Sequence, residues 1–353
     1  MHREHFDRLR PICPTCRART GQISALALGS VVSADDDDVR EGVLVCTEAT
    51  CLREHPIVDG IPIVLSDLQS WAAHQVNAVF RRDDFSPFIE SLLGDAVGPG
   101  SDLDTERSTL SAYGRVHWGD FDPDAPLPRD ASFAHLVETA LHLLSGLPTG
   151  VWIDLGCAVG RGTRELACRT GALSVGVDLS FAMLRVAERA RRESRVVFPQ
   201  KRVGMVFDRR EFSVADMPAD LMAYWCCDVS NLPFADATFD GALSLNVLDC
   251  VASPLQHLAE LGRVLRAEAA GLMSTPYDWS PNATPLGDWL GGHSQRGDAH
   301  GSSAAELRRV LRTIDLGLAI VAERDPVPWR VYVNERASMD YALHMLHLQK
   351  KTR

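Results

Sequence analysis

The 353-residue sequence contains no apolar run of the roughly 18 to 20 residues needed to cross a bilayer. Its first residues, "MHREHFDRLRPICPTC", lack the apolar centre of an export signal. Both absences point away from the membrane and make a cytoplasmic protein the expectation. Excess positive charge is missing as well. The formal net charge is -11, whereas proteins that grip a nucleic-acid backbone carry a basic surface. RNA stays open as a partner only through a local basic patch, and "RRESRVVFPQKR" (191–202) is the place for one, although a solvated helix end followed by a hairpin explains it equally. Without an export signal, nine cysteines indicate thiols or metal ligands rather than a disulfide framework. What is present, 46% hydrophobic and 24% charged residues, is enough to bury a sizeable core in two domains, or in one large domain with an appendage.

Cys13 and Cys16 form C-x2-C, and Cys46 and Cys51 form C-x4-C about thirty residues later. Two such pairs suit the knuckles of a zinc ribbon, in which four thiolates close a tetrahedral structural site. The second pair is two residues wider than the first. Between them the chain reads as weak strands, with Asp35 to Asp38 as a solvated loop whose adjacent carboxylates do not converge. "EHPIVDGIPIVL" then alternates apolar residues around a turn at Asp59-Gly60. Residues 67 to about 100 are helix-like, and "GPGSD" (98–102) breaks them. The aromatic-rich "STLSAYGRVHWGDFDPDAPLP" (108–128) is either a lid that turns Tyr113, His117 and Trp118 toward a ligand or a linker docked on the surface.

From residue 131 onward strand and helix patterns alternate, which predicts a parallel sheet covered on both faces and a ligand at the carboxyl ends of its strands. The domain boundaries expected are 1–66, 67–130 and 131–353. In "VWIDLGCAVGRGT" (151–163) the glycines are spaced G-x3-G-x-G and no lysine follows, which excludes a P-loop and fits a dinucleotide fingerprint poorly. An acid, Asp154, opens the loop, where it suits an amino group or hydroxyls better than a pyrophosphate. Asp178 ends the next strand and can accept both ribose hydroxyls. Asp228 ends the third and can reach an adenine amino group. Acids at three consecutive strand ends around a glycine turn describe a nucleoside without phosphates, S-adenosylmethionine.

Four stretches, "VWIDLGCAVGRG", "VGVDLS", "CDVSNLPF" and "FDGALSLNVLDCV", resemble the motifs of class I methyltransferases in order, over residues 130–280. The resemblance implies an α/β fold, a Rossmann-like seven-stranded sheet preceded by a small N-terminal zinc-ribbon-like domain. It implies that Gly156, Cys157 and Gly160 approach the methionine portion of S-adenosylmethionine, Asp178 with Leu179 the ribose, Asp228 and Val229 the adenine, and Asn246 the floor. Ala158 stands where the family has its middle glycine. Residues 10–66, "CPTC" through "CLREHPIVDGIPIVL", resemble the zinc-ribbon family of methyltransferase activator subunits, also fused before some rRNA guanine methyltransferases, and this implies structural zinc on the four cysteines. A narrower resemblance, carried by "STPYDWSPNATPLGDWLGG" (274–292) and "VPWRVYVNERASMDYALHMLHLQKK", is to the methyltransferase domain of ovothiol-pathway enzymes, which methylates an imidazole nitrogen of 4-mercaptohistidine.

Tyr277, Asp278, Trp279 and Trp289 follow a strand end, where an acceptor should meet the methyl group; an aromatic wall with one carboxylate suits a cationic amino-acid derivative. Packing of the loop is the other account of Trp289. In the tail Asn334, Arg336 and Tyr341 stand to finish the pocket, and Trp329 to pack the core. His117, Asp249 and Tyr277 are the candidates for taking up a proton. The readings are therefore a methyltransferase of a small imidazole- or thiol-bearing molecule, an RNA base methyltransferase gripping RNA through the ribbon, and a non-catalytic scaffold. The sequence lacks the N/D-P-P-Y tetrapeptide of many amino-group base methyltransferases, which weighs against the second.

Overall fold

The computed structural model describes every residue except Asp83, Asp298 and Arg353. Two short helices, α1 (Arg3–Leu9) and α2 (Pro14–Thr20), precede four strands, β1 (Leu26–Asp35), β2 (Asp38–Cys46), β3 (Glu54–Val58) and β4 (Ile61–Pro62), which pair antiparallel in that order. Helix α2 stands where the sequence suggested only strands: Pro14 occupies its first turn, where a missing N–H costs nothing, and Gly21 ends it in the left-handed region. The predicted turn is there, with Asp59 and Gly60 both at positive φ between Val58 and Ile61. The four aspartates are not simply a solvated loop. Asp35 and Asp38 close the β1–β2 hairpin and dock on the next domain through Arg192 and Arg191.

Helices α3 (Leu68–Phe80), α4 (Pro87–Val97) and α5 (Asp102–Trp118) follow. Gly98 and Gly100 take positive φ at the predicted break, and the Ser101 hydroxyl then caps α5 by accepting from the Asp104 N–H while Asp104 accepts from Gly100. The 108–128 stretch is thus largely the second half of a helix. It buries residues 104, 107, 111, 114 and 118, a stripe at helical spacing.

The rest of the chain runs α6 (Phe133–Leu141), β5 (Trp152–Leu155), α7 (Arg161–Thr170), β6 (Ser174–Asp178), α8 (Phe181–Glu193), β7 (Arg195–Val203), β8 (Val206–Ser213), β9 (Met222–Cys226), β10 (Phe239–Leu245), α9 (Pro254–Val264), β11 (Leu265–Thr275), α10 (Ser303–Thr313), β12 (Leu318–Asn334) and β13 (Ala337–Lys350). Seven of these strands form one sheet in the order β12-β13-β11-β10-β5-β6-β9, parallel except for β13, a doubly wound, Rossmann-like arrangement. The order reverses between β5 and β10, so a ligand crevice is expected where their carboxyl ends diverge. The final 17- and 14-residue strands were not legible as strands, and the 191–202 basic run is a helix end plus half of the β7–β8 hairpin.

The cysteine-bearing module does not stand apart. Ile63 bridges to Cys226 on the edge strand β9, and Val64 N–H donates to the Cys226 carbonyl at 2.9 Å. An exposed sheet edge, a template for aggregation, is thereby covered. Arg17 adds an ion pair to Glu260 at 2.7 Å, with Glu260 almost fully buried.

Candidate functional site

The loop between β5 and α7 lies at the carboxyl end of the central strand. Gly156 (φ 70°) and Gly160 (φ 88°) hold left-handed backbone there, and a Cβ on Gly156 would sit 2.6 Å from Val247, one on Gly160 2.7 Å from the Ala187 methyl. Ala158 takes the same kind of conformation at φ 49° despite its side chain, about 1 kcal/mol of strain or more. Its N–H compensates by donating to the Asp178 carboxylate at 2.9 Å, and Ser180 N–H donates to the other Asp178 oxygen at 2.8 Å. The acid at the end of β6 is therefore fixed against the glycine loop, and burial pushes its pKa up. Leu179 beside it is half exposed.

Around this loop acidic side chains gather at the strand ends, and this acid-lined face is the candidate recess. Asp228 follows β9 and accepts from Ser230 N–H at 2.7 Å, with Val229 buried next to it. Asn246 ends β10 at φ 58° and accepts from the Ser274 hydroxyl. On the opposite wall Tyr113, Cys250 and Tyr341 lie within electrostatic reach of Asp178, Asp249 and Asp278. Partial burial and these carboxylates push the Cys250 thiol and the Tyr341 phenol up to about 12. Tyr341 donates to Asp278 at 3.3 Å. No lysine or arginine ion-pairs with Asp178, Asp228, Asp249 or Asp278 among the described residues.

Several predicted residues are not brought to this recess. His117 is buried and stacks on Phe133 at 4.0 Å, away from the acidic face, and burial lowers its pKa to about 3. Trp118 is fully buried and donates to the Val159 carbonyl at 2.9 Å, propping the glycine loop from below. Of the proposed lid trio only Tyr113, 39% exposed, reaches the open side. Asp154 lies under the loop, accepting from Thr163 at 2.8 Å, and burial lifts its carboxyl to about 7. The Cys157 side chain points into the core, leaving only backbone at the loop surface. Asp249 does stand at the recess, beside Tyr113 and Cys250, but its carboxylate is committed: it accepts from Thr275 and from Asp278 N–H at 2.7 Å, pinning the turn after β11. Trp279 and Trp289 stack on each other at 6.1 Å and donate to Ser303 and to the Thr284 carbonyl, which is loop packing. Asn334 accepts from Arg336 N–H at the tip of the β12–β13 hairpin, so its amide shapes a turn. Trp329 packs against Phe133, as expected of a core residue.

Beside the predicted Tyr277, two residues, His344 and Glu323, escaped sequence reasoning. Tyr277 bonds His344 Nδ1 at 2.6 Å, and His344 Nε2 bonds Glu323 at 2.7 Å. A carboxylate only accepts, so Nε2 carries the proton and Nδ1 accepts from the phenol. The line continues to Arg308, 3.0 Å from Glu323. His344 sits opposite Thr275 in the β11–β13 ladder, and only knowledge of that register could have singled it out.

At the other end of the chain the sulfurs of Cys13, Cys16, Cys46 and Cys51 lie within 4.8 Å of one another. The Cys16–Cys46 and Cys13–Cys51 separations of 3.6 and 3.9 Å match the roughly 3.8 Å edge of a tetrahedron built on zinc–thiolate bonds of about 2.3 Å. The wide second knuckle is absorbed by a turn in which the Cys51 and Leu52 N–H groups donate to the Glu48 carbonyl. The donor set fits zinc. The basic run does not form an open patch: Arg191, Arg195 and Arg202 pair with Glu188, Glu211 and Asp208, and Lys201 with Asp104.

Comparison with known proteins gives this geometry a context. Residues 153–272 match a family model described as a methyltransferase domain. The chain is 29% identical over 182 residues to 24-methylenesterol C-methyltransferase 2 of Oryza sativa subsp. japonica, covering 50% of this chain and 43% of that protein. It is 29% identical over 114 residues to the O-methyltransferase cnsE of Penicillium expansum, 32% and 33% of the two chains. The chain thus spans less than half the length of these curated relatives. Among solved structures, the complex of the Haloferax volcanii Trm112 methyltransferase activator with a methyltransferase is 16% identical and covers 72% of this chain and 100% of that one (TM-score 0.43). The [4+2]-cyclase SpnF is 15% identical and covers 83% and 99% (TM-score 0.45). Residues 153–272, within the Rossmann-like part of the chain, are thus similar to methyltransferase domains. No described helix is long and apolar enough to cross a membrane.

Proposed function

We propose that the protein transfers a methyl group from S-adenosylmethionine to a small polar acceptor, an imidazole nitrogen or a thiol of a histidine-like molecule. The observation that carries the reading is the recess itself: Asp178 fixed against a left-handed glycine loop, further carboxylates on the facing wall, and no basic side chain paired with them. Such a site favours a sulfonium nucleoside over a nucleotide, whose phosphates the carboxylates would repel. S-adenosylmethionine supplies an electrophilic methyl group. In the proposed assignment Asp178 and Leu179 hold the ribose side, Asp228 and Val229 the base, and Asn246 the floor. Alignment of acceptor and methyl group supplies most of the rate effect in such a transfer.

The curated relatives are named for a sterol and for an O-methyl transfer, which favours small-molecule acceptors in general. The acceptor wall we assign is Tyr113, Asp278 and Tyr341, where one exposed carboxylate and two phenols suit a cationic or zwitterionic amino acid. The ovothiol-like acceptor class rests on the 274–292 and C-terminal resemblance. For an acceptor that loses a proton, Tyr277 passes it toward His344, whose other nitrogen is held by Glu323. Zinc on the four cysteines is assigned a structural role, because four thiolates would leave no open coordination position for catalysis.

Methyl-labelled S-adenosylmethionine, incubated with the purified chain and a cell extract split into RNA and small-molecule fractions that include thiolated histidines, tests the acceptor class. Label in the small-molecule pool is the expected result; label confined to RNA would overturn it. Elemental analysis should find one zinc per chain, lost in Cys46→Ser.

A further inference from the structure

A second cavity, of about 250 Å³, opens beside α5 and shares no lining residue with the recess. Its apolar walls include Leu93 of α4, Leu110 of α5 and Phe198 of β7. Six arginines and two glutamates also line it, in a protein whose net charge is -11. Most of these arginines have partners: Arg81 pairs with Glu106, Arg82 with Asp84, Arg185 with Asp59, and Arg209 with Glu90.

Arg107 does not. It is only 7% exposed, yet among the described residues it makes no hydrogen bond and no ion pair, and its Nε is buried without an acceptor; Glu90, Asp95 and Asp104 act on it electrostatically without pairing with it, and burial outweighs them. Its guanidinium lies over the Phe207 ring at 4.2 Å, a contact that leaves the in-plane N–H donors unused. An arginine does not shed its proton to escape such a position, so a buried, unpaired guanidinium is costly unless an anion completes it. A volume just under the roughly 300–1,000 Å³ of pockets for drug-sized ligands restricts the guest to a small molecule or to one arm of a larger one.

We propose that this cavity binds an amphiphile with a single anionic head, a carboxylate or a phosphate monoester, whose head pairs with Arg107 and whose apolar chain lies along Leu93, Leu110 and Phe198. Arginine presents a fork that both head groups match, so the head-group chemistry is shared and its source is left to the titration.

The purified full chain is titrated calorimetrically with decanoate, decyl phosphate and decanol, each below its micelle threshold. One saturable site for at least one anion is expected, with decanol at least tenfold weaker. Decanoate alone would assign the head as a carboxylate, decyl phosphate alone as a phosphate. Arg107→Met, which keeps the apolar stem and removes the guanidinium, should weaken the anion roughly tenfold or more. Leu93→Glu, which brings a carboxylate to the mouth, should abolish binding as well. Absence of saturable anion binding, equal binding of decanol, or unchanged anion affinity in folded Arg107→Met would each overturn the proposal. Should Arg107→Met fail to fold, retention of binding by Leu93→Glu would overturn it instead.

Discussion

Helix α5 has an acidic neighbour on one side and a basic one on the other. Near its carboxyl end Tyr113 overlooks Asp178 and Asp249; near its amino end Arg107 and Leu110 line the arginine-rich cavity, one helical turn away. In the recess, carboxylates are fixed by backbone N–H groups and, among the described residues, lack basic ion-pair partners. In the cavity, guanidinium groups outnumber acids six to two. Since four of those six arginines are ion-paired, the difference rests on Arg107, and under the two proposals the domain would sort ligand charge by region. A cation such as a sulfonium is complementary to the first and an anion to the second, and neither preference follows from the net charge of the chain.

The strongest way to break this comparison is to remove the acid that anchors the recess. Asp178→Ala frees the Ala158 and Ser180 N–H groups and deletes the proposed ribose acceptor, so affinity for S-adenosylhomocysteine should fall about 100-fold or more by calorimetry while decanoate binding stays unchanged. Next in size is Gly114→Ala, in the middle of α5. The added Cβ would meet the Phe198 ring near 2.5 Å, and overpacking of this kind costs about 1–3 kcal/mol. Because Phe198 lines the cavity and Tyr113 adjoins the recess, both ligands should bind more weakly and the melting temperature should drop; loss of only one ligand would show that the two regions do not share the helix as their wall.

A smaller effect appears with pH. Burial raises the Asp154 carboxyl from 3.8 to about 7, so between those values the folded chain keeps a proton that the unfolded chain releases. Its contribution to stability therefore falls as pH rises through about 4 to about 7 and is level above that. Asp154→Asn, which still accepts from Thr163, should be stabilised relative to the parent increasingly across that window in denaturant titrations; parallel pH curves would contradict the assignment. Smallest is Tyr277→Phe, which keeps the ring but not the bond to His344. A lower kcat with little change in KM, and a shifted pH profile, are expected if the phenol passes a proton.

How far these features were legible depends on whether they are local in sequence. The glycine loop, the acids at the ends of β6 and β9, the Asp59-Gly60 turn and both cysteine pairs were readable because each is a short pattern with its own backbone demand. The docking of the cysteine module was not, since it hangs on contacts such as Arg17 with Glu260 and Ile63 with Cys226 that join distant segments. Aromatic residues misled most. Trp118 read as part of a lid or a docked linker, and Trp279 and Trp289 as a ligand wall or, for Trp289, as loop packing; each indole N–H finds an acceptor within the fold, and composition cannot tell a wall from a core. His344 and Arg107 gave no local signal, because their meaning comes from register and from the absence of a partner.

The most direct test of the central claim is a calorimetric titration of the purified chain with S-adenosylhomocysteine, run in parallel on Asp178→Ala. The account predicts a single saturable site in the parent and none over the same concentration range in the variant. A parent that does not bind, or a folded variant that binds as tightly, would contradict the assignment of the acid-lined recess.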